Sequence, residues 1–266
     1  MRRRIAARLV GAAALAQGLI GALAPALARD PAPAPARDPA CAVPPALVEP
    51  VASLPALGAA LERAAPVRIV ALGSGTTQGI GASTPMASFP MRLEAALKPR
   101  TGSMVNVVNL GAQRQLASEM LARLEREVLA HKPTLVLWET GTVDAVRGVP
   151  LDEFTVQLEA GIAKLRQAGV DVVLIDPQYA RYTPRVVNIL PFVEAMRTVA
   201  GSGQLVLFDR FEVMRHWIDN NVFHLDERVP PRLAAGEIDQ VYNCIAELLA
   251  DMILTAAPKS SHVVAK

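Results

Sequence analysis

Residues 67–75 read Val-Arg-Ile-Val-Ala-Leu-Gly-Ser-Gly, a short apolar run that opens into a glycine-rich loop. An apolar run of this length, bounded by glycine, is typical of a strand that is buried on both faces of a sheet. Glycines directly after such a strand favour a tight turn into a helix. We therefore predict a buried strand that delivers the loop 73–83 to one edge of a sheet.

Strands and helices are predicted to alternate along the rest of the chain. Four more apolar runs predict strands at 104–110, 134–138, 170–175 and 205–208. Apolar residues at helical spacing, with a C-cap signal at Gly169, predict helices at 89–97, 116–129, 151–168, 191–199 and 238–254. This order favours a three-layer α/β/α sandwich with a parallel, five-stranded sheet of flavodoxin type. Function is then expected on the loops at the carboxyl ends of the strands, which are 73–83, 109–115, 139–147 and 176–182.

The composition is that of a globular protein rather than of a disordered tail. The chain has 266 residues, of which 52% are hydrophobic and 20% are charged, enough for one large domain or two small ones. Four arginines are the only charges in the first 28 residues, and without them 23 basic residues face 25 acidic ones, a net charge of −2. Such a chain has no electrostatic reason to bind nucleic acid or anionic lipid.

The first 28 residues have the order of a secretory signal peptide. Three arginines precede an apolar run from Leu9 to Leu23, and the small-residue site Ala26-Leu-Ala28 follows. The alternative is an uncleaved membrane anchor, although the run is short and interrupted by glycine. We expect a soluble, periplasmic or secreted protein without a stable membrane span after signal removal. Its predicted parts are an Ala/Pro-rich arm at 29–55, a domain at 56–256 and a flexible tail at 257–266.

The two cysteines lie far apart in the sequence, at Cys41 in the arm and Cys244 in the last predicted helix. In an exported protein they are expected to form a disulfide that ties the arm to the domain. The alternative is two free thiols. Neither the cysteines nor the four histidines, among them His131, His216 and His262, have the spacing of a metal site, so no metal or other cofactor is predicted.

Three loops resemble the conserved blocks of the SGNH, or GDSL-type, hydrolases. The loop Gly73-Ser-Gly-Thr-Thr77 resembles the first block, Gly-Asp-Ser-x-Thr. Asn109-Leu-Gly111 is similar to the second block, and Trp138-Glu-Thr-Gly-Thr-Val-Asp144 to the third, which ends in Gly-Thr-Asn-Asp. The resemblance implies an α/β/α hydrolase fold, a catalytic Ser-His-Asp set and an ester or acylated glycan as substrate.

Matched residue by residue, the resemblance implies that the active site is degenerate. The nucleophilic serine falls on Gly75, which has no side chain, and Ser74 takes the place of the preceding aspartate. The oxyanion-hole asparagine falls on Val143, which cannot donate a hydrogen bond, whereas Gly111 keeps its place in the second block. A rearranged site with Ser74 or Thr76 as nucleophile is the alternative.

The Asp-x-x-His of the family has two possible placements. His224 can serve as the histidine, with Asn221 in the place of the aspartate. Alternatively, Tyr242-Asn-Cys-Ile-Ala246 resembles the start of the family's last helix, which puts the histidine near Gly236 and the aspartate near Leu233. We favour the second placement. Both leave the Ser-His-Asp set incomplete.

Other loop residues are candidates for a binding cleft: Gly73, Asn109, Thr142, Asp144, Gln178 and Tyr179. Asp176 and Tyr182 also fall on these loops, where helix capping is an equally good explanation for the polar side chains. The glycines of 73–79 superficially match a dinucleotide-binding loop, but no acidic residue ends the second predicted strand.

Three hypotheses on function follow. The first is a non-catalytic SGNH relative that binds or scaffolds envelope glycans, acylated or unmodified. The second is an active esterase or acetyl hydrolase with a rearranged site, in which Ser74 or Thr76 and His224 act. The third is a structural accessory of polysaccharide assembly with no ligand in the cleft. Ester hydrolysis assays distinguish the second from the others, and glycan binding distinguishes the first from the third.

Overall fold

The computed structural model describes residues 38–102, 104–181, 187–225 and 231–258. Its centre is a parallel sheet in the order β2-β1-β3-β4-β5. The strands are β1 (Val67–Gly73), β2 (Val105–Gly111), β3 (Leu135–Glu139), β4 (Asp171–Ile175) and β5 (Val206–Phe208). Helices cover both faces, which confirms the predicted three-layer sandwich.

The described helices extend beyond those predicted. They are α1 (Pro55–Glu62), α2 (Gly75–Gln78), α3 (Phe89–Thr101), α4 (Ala117–Arg123), α5 (Thr142–Arg147), α6 (Leu151–Gln167), α7 (Leu190–Gly203), α8 (Arg210–Asp219) and α9 (Pro231–Ala256). The predicted helix 116–129 is α4 followed by a π-turn, Leu124–Val128, and a 3₁₀ turn. Helices α1, α2, α5 and α8 were not predicted. Two of them have capping residues at their ends. Asp209 caps the start of α8 by accepting from the Glu212 N–H, and glycines in the left-handed conformation flank α5 at both ends.

Successive residues of each strand point to opposite faces of the sheet and so build two cores. In β1, Ile69 and Ala71 face the core formed with α1, α3 and α9, whereas Val70 and Leu72 face α4, α6 and α7. Trp138 fills the second core so tightly that a Cβ on Gly161 of α6 would lie 2.2 Å from its ring. A glycine is therefore required where α6 crosses the sheet.

The arm is attached to the last helix by the predicted disulfide. Cys41, in a 3₁₀ turn at Pro39–Cys41, is bonded to Cys244 of α9, and both sulfurs belong to buried residues. Two hydrogen bonds accompany it: the Trp217 Nε1–H donates to the Ala42 carbonyl at 3.2 Å, and Gln240 donates to Asp38. The predicted pairing of the two cysteines is confirmed.

Parts of the sequence interpretation concern residues outside the described ranges. These residues include the predicted signal peptide and the first part of the arm. They also include Tyr182 and nearly all of the predicted tail with His262. Within 38–102, 104–181, 187–225 and 231–258, no helix combines the length and the apolarity needed to cross a bilayer.

Candidate functional site

A cleft of about 450 Å³ lies at the carboxyl ends of the strands, where function is expected in open parallel sheets. Its floor is formed by Ser74, Gly75, Thr76 and Arg210. The walls are mostly apolar and include one face of α9. The wall residues are Ile80, Gln113, Arg114, Thr142, Val143, Gln178, Tyr179, Ala180, Met214, Leu225, Ile238, Val241, Tyr242 and Ile245.

The cleft brings together seven of the residues predicted from the loops. These are Ser74, Gly75, Thr76, Thr142, Val143, Gln178 and Tyr179. Five others do not line it: Gly73, Asn109, Gly111, Asp144 and His224. The first four are buried or half-buried in the packing beneath the loops, and His224 is exposed outside the cleft. The cleft therefore lies at the predicted edge of the sheet, but position on a loop did not decide which side chains reach it.

Gly111, the last residue of β2, does not line the cleft. The Gly111 N–H donates to the Asn109 side-chain oxygen at 2.9 Å, and the Asn109 amide donates to the Thr77 carbonyl at 2.7 Å. A Cβ on Gly111 would lie 2.2 Å from the Gln78 nitrogen, so this residue is packed directly against α2. The Gly111 N–H is therefore occupied by Asn109 and is not offered to the cleft.

Glu139 forms the centre of a hydrogen-bond network beneath the floor. Its carboxylate accepts from the Ser74 N–H at 2.9 Å, from the Ser74 hydroxyl at 2.9 Å and from the Thr77 hydroxyl at 3.0 Å. Gly73 lies under this network, since a Cβ there would meet the Thr77 hydroxyl at 2.1 Å. The Ser74 hydroxyl is therefore engaged as a donor to a carboxylate and meets no imidazole.

Arg210 pairs with Glu139 and completes the network. The guanidinium lies 3.1 Å from the Glu139 carboxylate, with both side chains only 1% exposed. It also donates to the Thr76 hydroxyl at 2.9 Å and to the Asp176 carbonyl at 3.0 Å. Burial alone would raise the pKa of Glu139, but the Arg210 charge and the hydrogen bonds from Ser74 and Thr77 together bring it below its usual range.

Sequence analysis did not identify either member of this pair. Glu139 lies inside the third block, between Trp138 and Gly141, and Arg210 follows the fifth strand directly. Both residues lie at the carboxyl ends of strands, where function is expected in a parallel sheet. The loop after β5 was not among the loops selected, and including it would have identified Arg210.

Neither placement of the family's histidine puts an imidazole in the cleft. His224 is exposed, and its backbone N–H donates to the Glu237 carboxylate. Gly236 and Leu233 lie within α9, which includes Pro231 and so begins earlier than predicted. The longer helix occupies the segment where the second placement expected a loop. Among the described residues, no histidine lines the cleft.

Two aspartates of the loops are structural rather than cleft residues. Asp176 is completely buried and accepts the Phe211 N–H at 2.9 Å, and Asp144 accepts the Ala117 N–H at 3.0 Å. Burial raises the pKa of both carboxyls. For Asp176 the neighbouring charge of Asp209 adds to this effect and raises the pKa well above its usual range.

We expect Asp176→Asn to stabilise the protein at neutral pH. Burial and the Asp209 charge raise the pKa of Asp176, so between the unfolded and the folded pKa the folded state binds a proton that the unfolded chain has lost. The stability that this carboxyl contributes is therefore fully present below the unfolded pKa, about 3.9, and is lost as the pH rises through the raised folded pKa. The variant should gain about 1 kcal/mol or more over the wild type at about pH 7 and little at about pH 4.

Urea denaturation across this pH range measures the difference. The matched control is Asp219→Asn, on the exposed end of α8, which should show no gain that grows with pH. An Asp176→Asn variant that loses stability relative to the wild type as the pH rises would contradict a raised pKa for Asp176.

Comparisons with known proteins agree with the fold. The model of the non-GDSL lipase-like family matches residues 40–259. An arylesterase from Vibrio mimicus is 29% identical over 150 residues, which cover 54% of this chain and 70% of that protein. A lipase/acylhydrolase from Enterococcus faecalis is similar in structure, with a TM-score of 0.56 and 23% identity over 70% of this chain and 95% of the other. A two-domain esterase active on acetylated mannans gives a TM-score of 0.60 and 18% identity, over 82% of this chain and 58% of the esterase.

The family match spans most of the chain, and the two structures share its sheet and helical layers. At identities below 25%, the structural similarity bears on the fold and not on the reaction. The chain therefore belongs to the non-GDSL lipase-like family and has the fold of the SGNH-type hydrolases.

Proposed function

We propose that this chain is a non-hydrolytic member of its family that binds an acylated ligand in the cleft. One observation carries the proposal: in the described ranges, no hydroxyl that lines the cleft has a histidine beside it. Gly75 stands where the resemblance places the nucleophile, and the hydroxyls of Ser74 and Thr76 contact Glu139 and Arg210. Serine-type hydrolysis needs a nucleophile, a base and oxyanion donors in one place.

The proposed ligand class is the acylated glycans of the cell envelope. Two features support it: an apolar wall suited to an acyl group, and esterases on acetylated mannans among the proteins of the same fold. Export to the envelope is part of the same proposal and rests on the signal-like order of residues 1–28.

The rearranged esterase is the second candidate, favoured by the esterases among its relatives and by the 2.9 Å contact between the Ser74 hydroxyl and Glu139. Glu139 is nevertheless a poor general base, because Arg210 and three hydrogen bonds lower the pKa of its carboxyl. The apolar cleft favours ligand binding over the third hypothesis, a structural accessory with an empty cleft.

We expect the purified protein to hydrolyse acetyl and short acyl esters no faster than buffer does. The decisive variant is Gly75→Ser, for which the cleft has room: a Cβ there would meet Ile80 at 3.4 Å and Gln113 at 3.9 Å. It should fold normally and still lack turnover, since no described histidine or carboxylate lines the cleft and the Val143 side chain offers no donor. Release of acetate and of a chromogenic alcohol measures both proteins.

The matched controls are Ser74→Ala, Thr76→Ala and His224→Ala in the wild-type chain. Each should leave the background rate unchanged. If the wild type hydrolyses acetyl esters and any of these variants abolishes that activity, the rearranged esterase is the correct function.

A further inference from the structure

One cation at the mouth of the cleft forms no hydrogen bond or ion pair with the described residues. Arg114 follows β2, lines the cleft and is exposed. The other arginine of the cleft, Arg210, is buried and neutralised by Glu139. Among the residues that the structure describes, no aspartate or glutamate lines the cleft. Within the described part of the chain, the positive charge of Arg114 therefore has no counter-charge at the cleft.

The backbone of Arg114 is held in a conformation that favours glycine. Its φ is +61°, in the left-handed region that residues with a Cβ rarely adopt. The loop is fixed on the N-terminal side of this residue: Ala112 donates to the Gly73 carbonyl at 2.9 Å, and the Gln113 N–H to the Gln78 side chain at 3.1 Å. A strained, non-glycine residue beside a cleft points to a functional role for its side chain.

The other surfaces of the cleft suit the apolar part of a ligand. Eight apolar side chains line it. They are Ile80, Val143, Ala180, Met214, Leu225, Ile238, Val241 and Ile245. At the floor, the Thr76 oxygen accepts from Arg210, which leaves the Thr76 O–H free to donate to a ligand oxygen. An apolar cavity with a few convergent donors and a single uncompensated cation is complementary to an amphiphile that carries one negative charge.

We propose that Arg114 binds the carboxylate of a free fatty acid whose chain occupies the apolar cleft. This inference rests on the proposed function, because the chain of the acid occupies the apolar part of the cleft that the proposed function assigns to an acyl group. The guanidinium forms charge-assisted hydrogen bonds with a carboxylate, which a neutral ester or amide cannot accept with the same strength. Arg114 is thus the residue that makes the cleft prefer the acid.

The test compares decanoate with decanamide, its neutral counterpart of equal length, by calorimetric titration of the full chain at about pH 7.5. The wild type should bind decanoate about tenfold more tightly, the difference expected of one partly exposed charge-assisted hydrogen bond. Arg114→Gln should abolish this preference by weakening decanoate alone. Arg63→Gln, an equal loss of charge at the exposed end of α1, should leave both affinities unchanged.

A second variant separates ligand binding from a structural role. Arg114→Gly should relieve the left-handed strain and raise the midpoint of thermal unfolding by about 2 °C or more, while it weakens decanoate as much as Arg114→Gln does. Equal affinity of the wild type for acid and amide, unchanged by either Arg114 variant, would overturn the inference and leave the proposed acyl binding intact. Failure of the wild type to bind either compound would overturn this inference, whereas titration with an acetylated glycan decides the proposed function separately.

Discussion

Arg210→Met is expected to lower the free energy of unfolding by about 3–5 kcal/mol at neutral pH, because it leaves a buried carboxylate without its counter-charge. Arg210 and Glu139 are each 1% exposed and lie 3.1 Å apart. The hydrogen bonds from Ser74 and Thr77 remain in the variant but do not replace a full positive charge. Urea denaturation, followed by far-ultraviolet circular dichroism, measures the loss.

The pH dependence identifies the cause of this loss. Without Arg210, burial keeps the pKa of Glu139 above that of the unfolded chain, so the destabilisation grows as the pH rises and shrinks towards about pH 4. The double variant Glu139→Gln/Arg210→Met removes both charges and keeps an acceptor for Ser74 and Thr77. It should recover more than half of the lost stability. A loss below about 1 kcal/mol for Arg210→Met would show that the pair is solvated like a surface ion pair.

Removal of the disulfide is expected to have an effect of similar size. Cys41 and Cys244 are separated by 203 residues, and both are completely buried. In the chain-entropy model a loop of this length gives an upper estimate of about 5 kcal/mol, because the cross-link restricts nearly the whole unfolded domain. The variant Cys41→Ala/Cys244→Ala should therefore unfold at a much lower urea concentration than the oxidised wild type.

Three controls accompany this measurement. Reductant should lower the urea midpoint of the wild type and leave that of the double variant unchanged. Gln240→Ala, which removes the hydrogen bond to Asp38 at an exposed position, should cost about 1 kcal/mol or less. A thiol reagent should find no free cysteine in the unfolded, oxidised protein. Two reactive thiols, or a wild-type midpoint insensitive to reductant, would contradict the bond.

Much of the fold could be predicted from the sequence because its signals are local. The apolar runs predicted all five strands to within about two residues at each end, since a strand buried on both faces needs a continuous apolar stretch. Alternation with helices implied parallel strands, and parallel strands bring all their carboxyl ends to one edge. The short helices α2, α5 and α8 were missed because capping residues, and not a long apolar period, begin and end them.

The sequence by itself determined the architecture, the edge of the sheet that bears the cleft and, since there are only two cysteines, the partners of the disulfide. Only the tertiary structure decided what the cleft contains. The Asn109 side chain accepts the Gly111 N–H, and Arg210 pairs with Glu139, 71 residues away in the sequence. Apolar residues of α9 form part of the cleft wall. Local sequence patterns decide whether a segment forms a helix or a strand. The partner of a buried charge depends instead on which residues the tertiary packing brings next to it, and no sequence spacing encodes that choice.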